Sequence, residues 1–271
     1  MNTLWLFAWR EFLNAIRNLW LLMSVTALLL LSLSLALLDS APAGQLSASA
    51  LQVSVVGLTS LGVYLIPLIA LLISFDTIVG EQEQGTLSLL LSYPVARRQL
   101  LLGKFLGAST VLIIAVLIGY GSSAVVLMMT SEEGISGWQS FAQLLGSSIL
   151  LGAVFIALGC LISAKARKRS SAIVLCLSLW LLLVVLYDLG LLALLVSVEE
   201  GVLSESLFVS LLVSNPADAY RVLNLSSPEV GKLVGLWGGA DISVGTAMGV
   251  MSAWTIIALW GAIHCLNKKQ L

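Results

Sequence analysis

Long apolar runs separated by short charged islands set the pattern of this chain. About six runs are long enough to cross roughly 30 Å of hydrocarbon. They cover residues 19–38, 54–75, 105–129, 141–163, 171–198 and 242–266. Ahead of the first run, Trp5, Trp9, Phe12 and Ile16 recur at helical steps, with Arg10, Asn14 and Arg17 on the opposite side. That spacing predicts an amphipathic helix over residues 1–18 lying in the membrane interface. The first apolar run is too long for the core of a cleavable leader, so a retained signal-anchor is expected.

Composition agrees with the pattern. Apolar residues make up 59% of the chain and charged residues 10%, against about 25% charged in a soluble domain. The bilayer is therefore the solvent, and residues 19–271 form one six-span domain. The expected fold is all-α and polytopic, with about six transmembrane helices after the interfacial helix.

Charge placement sets the expected orientation. Arg10, Arg17, Arg97, Arg98, Lys104, Lys165, Arg167, Lys168, Arg169, Lys268 and Lys269 fall on one side of the predicted spans, and Arg221 and Lys232 on the other. The basic side is the cytoplasmic one, so both termini are expected in the cytoplasm.

The most informative island is residues 76–104. Asp76, Glu81 and Glu83 precede a short apolar run, LSLLLSYP, which is followed by Arg97, Arg98 and Lys104. A patterned segment of this kind reads as a surface helix or turn packed against something. Pro67, in the span just before it, is expected to kink that helix. The other large island, 199–241, is rich in Leu and Val and should be folded. Residues 204–213 predict a helix with Leu207, Leu211 and Leu212 on one face, broken at Asn215-Pro216. Asp218 and Arg221 stand three apart and can pair on the next helix. This loop reads equally as a lid over the outer end or as a platform for an outside protein.

Chemistry of its own is hard to find in the chain. No GxxxxGK[ST] phosphate loop occurs, so any ATP must be bound by a separate subunit. His264 is the single histidine and sits at a membrane boundary, which argues against a hydrolytic triad. Cys160, Cys176 and Cys265 lie in or beside apolar runs without disulfide or metal spacing. Met128, Met129, Met248 and Met251 raise the question of Cu(I) but suit helix packing better, so no metal ligand is assigned. Gly103/Gly107 and Gly245/Gly249 read as close-packing pairs. Asp188 is the one acid well inside a span, where it needs a partner or a wet cavity. It reads either as a proton or cation site or as a buried anchor to hydroxyl groups, and the anchor is preferred.

After the second span the chain shows E-x-E-x-G-T-L-x-x-L-L-x-x-P-V-x-R-x-x-x-L-x-G-K. The residues are Glu81, Glu83, Gly85, Thr86, Leu87, Leu90, Leu91, Pro94, Val95, Arg97, Leu101, Gly103 and Lys104. With the interfacial helix and six spans, this resembles permeases of the ABC-2 type. Further likeness in 67–94, 186–195 and 215–225 is to the permease subunits of nitrous-oxide-reductase maturation transporters.

The resemblance implies a non-catalytic subunit working as a homodimer in the bacterial inner membrane. It implies a cytoplasmic ATPase pair that binds ATP and Mg²⁺, and a periplasmic copper-binding β-helical partner. Membrane lipid surrounds such a subunit, and nothing points to nucleic acid. Carried onto this chain, Glu81, Glu83, Gly85, Thr86, Leu90, Pro94, Arg97 and Arg98 would couple to the ATPase. Asn215, Pro216, Asp218, Tyr220 and Arg221 would dock the periplasmic partner, with Asp188 as an intramembrane polar residue. A generic exporter of lipid or drug, and an ion-driven transporter built around Asp188, stay open as alternatives.

Overall fold

The computed structural model describes residues 3–16, 19–39, 50–87, 96–130, 138–197, 205–225 and 243–269. The described residues are helical throughout, apart from turns and caps. Helix α1 is Thr3–Ile16, α2 is Leu19–Asp39 and α3 is Ala50–Ser74. A turn leads to the short α4, Val79–Glu83. Then come α5, Arg97–Thr130, and α6, Trp138–Lys165. Helix α7, Arg169–Leu181, passes through a π-helical turn at Leu182–Leu186 into α8, Tyr187–Ser197. Two short helices follow, α9 at Glu205–Ser214 and α10 at Pro216–Leu225, before α11 at Val244–Lys268.

Within the described residues, each of the six predicted runs is helical. Five helical stretches are long and apolar enough to cross a membrane: Ser54–Glu83, Arg97–Met129, Trp138–Lys165, Arg169–Ser197 and Val244–Lys268. Helix α2 has 21 residues and carries a shorter apolar stretch, Leu22–Leu37. One boundary differs from the sequence reading. The third span begins at Arg97 rather than near residue 105, so the basic half of the 76–104 island forms the first turns of a spanning helix.

Helix α6 is the hub. Its Phe141, Leu144, Leu151, Val154, Phe155 and Ile156 are buried, and it packs against α3, α5, α7, α10 and α11. Its neighbours contribute Leu58 and Ile66 from α3, Leu112 and Tyr120 from α5 and Met251 from α11. The span α7–α8 is the exception. Only Ala172, Cys176, Leu183 and Val184 along it are buried, while Val174, Leu177, Leu186, Leu189 and Leu192 stay exposed.

Helix α1 covers Thr3–Ile16 of the predicted segment. Trp5, Trp9 and Ile16 are exposed, Ala8 is buried, and the Trp9 and Phe12 rings stack at 5.5 Å. It lies along α5, where Gly107 gives it room. A Cβ on Gly107 would meet the Ala8 carbonyl oxygen at 2.5 Å and the Glu11 Cβ at 2.8 Å. The other small-residue pair makes no such contact, since nothing lies within 4 Å of a Cβ on Gly249. In α9, Leu212 is buried but Leu207 is exposed, so the three leucines do not share one packed face.

Candidate functional site

The turn after α3 starts the site. Thr77 Oγ1 donates to the Ser74 carbonyl at 2.8 Å. The free N–H groups of Ile78 and Val79 both donate to Ser163 Oγ on α6, each at 3.0 Å. Ser163 thereby satisfies donors that a helix start leaves open. Gly85, with φ +71°, takes the left-handed conformation that ends α4, and Thr86 Oγ1 donates back to the Glu81 carbonyl at 3.2 Å.

Lys104 stands behind this turn with its side chain 5% exposed. Its Nζ donates to the Thr77 carbonyl at 2.6 Å and to Glu11 Oε2 at 3.2 Å, and lies 3.0 Å from Glu81 Oε1. Three acceptors match the three protons of the ammonium. A buried cation held this way is satisfied, whereas a lone one would be costly. The bridge joins α1, the α3–α4 turn, α4 and α5. Burial raises the Glu11 carboxyl above its ordinary value, and Lys104 offsets only part of that rise.

Arg169, the first residue of α7, takes the remaining acids. Its Nε lies 2.7 Å from Asp76 Oδ1 and 3.7 Å from Glu83 Oε2. Its backbone N–H donates to Glu83 Oε1 at 2.9 Å, so Glu83 places a carboxylate at the start of α7, where the helix dipole favours it.

Arg97 turns the other way. Its Nη1 donates to the carbonyls of Leu266, Asn267 and Lys269 at 2.7, 3.0 and 3.1 Å. It caps the end of α11 with positive charge. Arg98 is exposed and makes no ion pair among the described residues. Leu90 and Pro94 lie outside the described residues.

The opposite end of the bundle carries a second polar cluster, built on α10. Asn215 caps that helix, its Oδ1 accepting from the Ala217 N–H at 3.1 Å. Its Nδ2 donates to the Leu183 carbonyl at 2.7 Å and to Asp218 Oδ2 at 2.9 Å. Arg221 pairs with Asp188 and with Asp218 at 3.0 Å, and its guanidinium sits 5.6 Å from the centre of the Tyr64 ring. Burial first, and then the Asp188 carboxylate, raise the Asp218 carboxyl above its ordinary value. Tyr220 and Ser148 share a hydrogen bond at 3.1 Å, and Asn224 donates to Ser147 at 2.9 Å.

Asn215, Pro216, Asp218 and Tyr220 are buried; Asn215 binds the α7–α8 span, Tyr220 binds α6, and Asp218 pairs with Asn215 and Arg221. These contacts hold α10 in place, and Arg221 pairs with two carboxylates. Asp188 is an anchor, but its partner is the guanidinium of Arg221 rather than a hydroxyl. Ser163, Glu11 and Arg169 are site residues that the sequence reading did not single out. Glu11 was signalled as the sole acid among residues 1–18. Arg169 was hidden in a run of four nearby bases.

A bundle of apolar helices with a charged turn after its second span defines a transporter permease. The chain belongs to the ABC-2 family of transporter proteins, whose pattern it matches over residues 5–271. It is a multi-pass protein of the bacterial inner membrane. It is similar to the probable ABC transporter permease protein NosY of Pseudomonas aeruginosa, 42% identical over 262 residues, which is 96% of this chain and 94% of that one. It is also similar to the probable ABC transporter permease protein NosY of Stutzerimonas stutzeri, 41% identical over 271 residues, 98% of this chain and 96% of that one.

Proposed function

We propose that this permease subunit receives the motion of a separate cytoplasmic ATPase through residues 81–98 and passes it to the α10 end. Both termini then lie in the cytoplasm, on the basic side. The subunit works as a homodimer and carries no catalysis of its own, since ATP and Mg²⁺ belong to the ATPase pair. Its output serves copper-site maturation of nitrous-oxide reductase, through a periplasmic copper-binding protein docked on the loop 199–241.

One observation carries this reading. Glu81 and Glu83 are tied by Lys104 and Arg169 to α1, α5 and α7. A push on α4 therefore reaches three other helices through charge pairs rather than through a slack linker. The route onward is the α7–α8 span, which α10 grips from the far end.

The test is ATPase activity of the reconstituted complex with a Glu83→Lys/Arg97→Glu double change. Loss of ATPase capture or of its stimulation is the expected result. Unchanged assembly and unchanged activity, in a variant that still elutes as folded protein, would overturn the coupling role.

A further inference from the structure

Between α1 and the α3–α4 turn lies a polar cavity of about 360 Å³. Its ionisable lining is balanced: Arg10, Lys104 and Arg169 against Glu11, Asp76 and Glu81. Most of that charge is already used. Lys104 spends its three protons on Thr77, Glu11 and Glu81, and Arg169 is held by Asp76 and Glu83.

Two carboxylate oxygens of the lining, Asp76 Oδ1 and Glu81 Oε2, lack a hydrogen bond; Asp76 Oδ1 has Arg169 at 2.7 Å, which leaves Glu81 Oε2 inside and donors at the mouth. Glu81 Oε2 is buried with no hydrogen-bond partner, which is costly for a charged oxygen unless something donates to it. Arg10 and Asn14 are exposed, and Arg10 makes no ion pair among the described residues. The same helix exposes Trp5 and Trp9, which places the mouth at headgroup depth in the membrane. Leu72 and Ile73 supply an apolar wall.

A ligand that fits has a small hydrogen-bonding cation at one end and an anion a few bonds away, on an apolar stem. We infer that this cavity binds the headgroup of an aminophospholipid such as phosphatidylethanolamine, its ammonium on Glu81 and its phosphate on Arg10. An ammonium N–H reaches the unsatisfied carboxylate oxygen, and a guanidinium suits a phosphate. A choline headgroup has no N–H to donate, and a glycerol headgroup has no cation. The site goes beyond the permease reading, and its test needs no ATPase, so either can fail alone.

The experiment is native mass spectrometry of the detergent-purified full chain with equal amounts of phosphatidylethanolamine, phosphatidylcholine and phosphatidylglycerol. The expected result is retention of phosphatidylethanolamine about tenfold over the other two, the effect of one charge-assisted hydrogen bond. Glu81→Gln should remove the preference over phosphatidylcholine, and Arg10→Gln should weaken binding of both amine and choline lipids. Equal retention of the three lipids by the unaltered chain would overturn the site without reference to any variant. Soluble phosphoethanolamine is the second arm. Failure to displace the lipid at equal concentration supports the membrane source, and ready displacement would overturn it in favour of a soluble ligand.

Discussion

Asn215 donates its side-chain amide to the Leu183 carbonyl oxygen at 2.7 Å, inside the one π-helical turn among the described residues. A π turn loosens the regular ladder of helix hydrogen bonds, and here a side chain from α10 occupies a carbonyl within it. Replacing Asn215 by Leu leaves that carbonyl and Asp218 short of a partner. The expected cost is about 1–3 kcal/mol, read as a lowered Tm in detergent. An unchanged Tm would mean that the π turn does not need α10.

The Asp188–Arg221–Asp218 cluster predicts a sharper loss. Arg221→Met leaves two neighbouring carboxylates without a cation. Asp188 is 30% exposed on its side chain, so the cost falls toward the low end for a broken buried pair, about 3 kcal/mol. Adding Asp188→Asn to Arg221→Met should recover a good part of the loss. A double-mutant cycle on unfolding midpoints measures the coupling, and additive losses would dissolve the cluster.

Lys104 makes the same argument at the other end. Lys104→Met strands Glu11 and Glu81 together, with an expected penalty of about 3–5 kcal/mol. The triple change Lys104→Met/Glu11→Gln/Glu81→Gln removes all three charges and should fold better than the single one. Chemical denaturation of the three proteins side by side decides it. A single variant as stable as the parent would show that the bridge holds nothing.

Glu11 gives the pH dependence its sign. Its carboxyl is raised above the ordinary 4.5, so the folded chain holds the proton more tightly than the unfolded chain does. Its contribution to stability is fully present below the ordinary value and is lost as pH rises through the raised one. Glu11→Gln should flatten that part of the curve. Unfolding midpoints from pH 4 upward, compared between the two proteins, would refute the assignment if the slopes match.

At Gly107 the prediction is geometric. A side chain there collides with the Ala8 carbonyl at 2.5 Å, so Gly107→Val should lift α1 from α5. The exposed tryptophans of α1 provide the readout. Their fluorescence should become more accessible to an aqueous quencher, and an unchanged quenching curve would mean that α1 is held elsewhere.

The spans were legible because each is a long apolar run, and a run of that length has one way to sit in a bilayer. The charged turn was legible as a pattern but not as a set of pairs. Lys104 takes Glu11, 93 positions away, as well as Glu81, and Glu83 takes Arg169, 86 positions away. Pairing over such separations is set by how the helices stack. The π turn left no mark, since its residues LLVVL suit an α-helix equally well. Helix α10 was legible as a folded stretch after the Asn215-Pro216 break, but the pairing of Arg221 with Asp188, 33 positions away, was not. Asn215, Asp218, Arg221 and Asn224 recur every three positions, the one signal that they share a face.

Arg97 grips the carbonyl oxygens of the chain's last helix, so the start of α5 and the end of α11 are fastened into one body. Cys265 sits beside that joint and is half-buried, while the thiols of Cys160 and Cys176 are buried. A spin label on the native Cys265 would therefore report movements of the start of α5 from a site that leaves every charged residue of the 76–104 segment untouched.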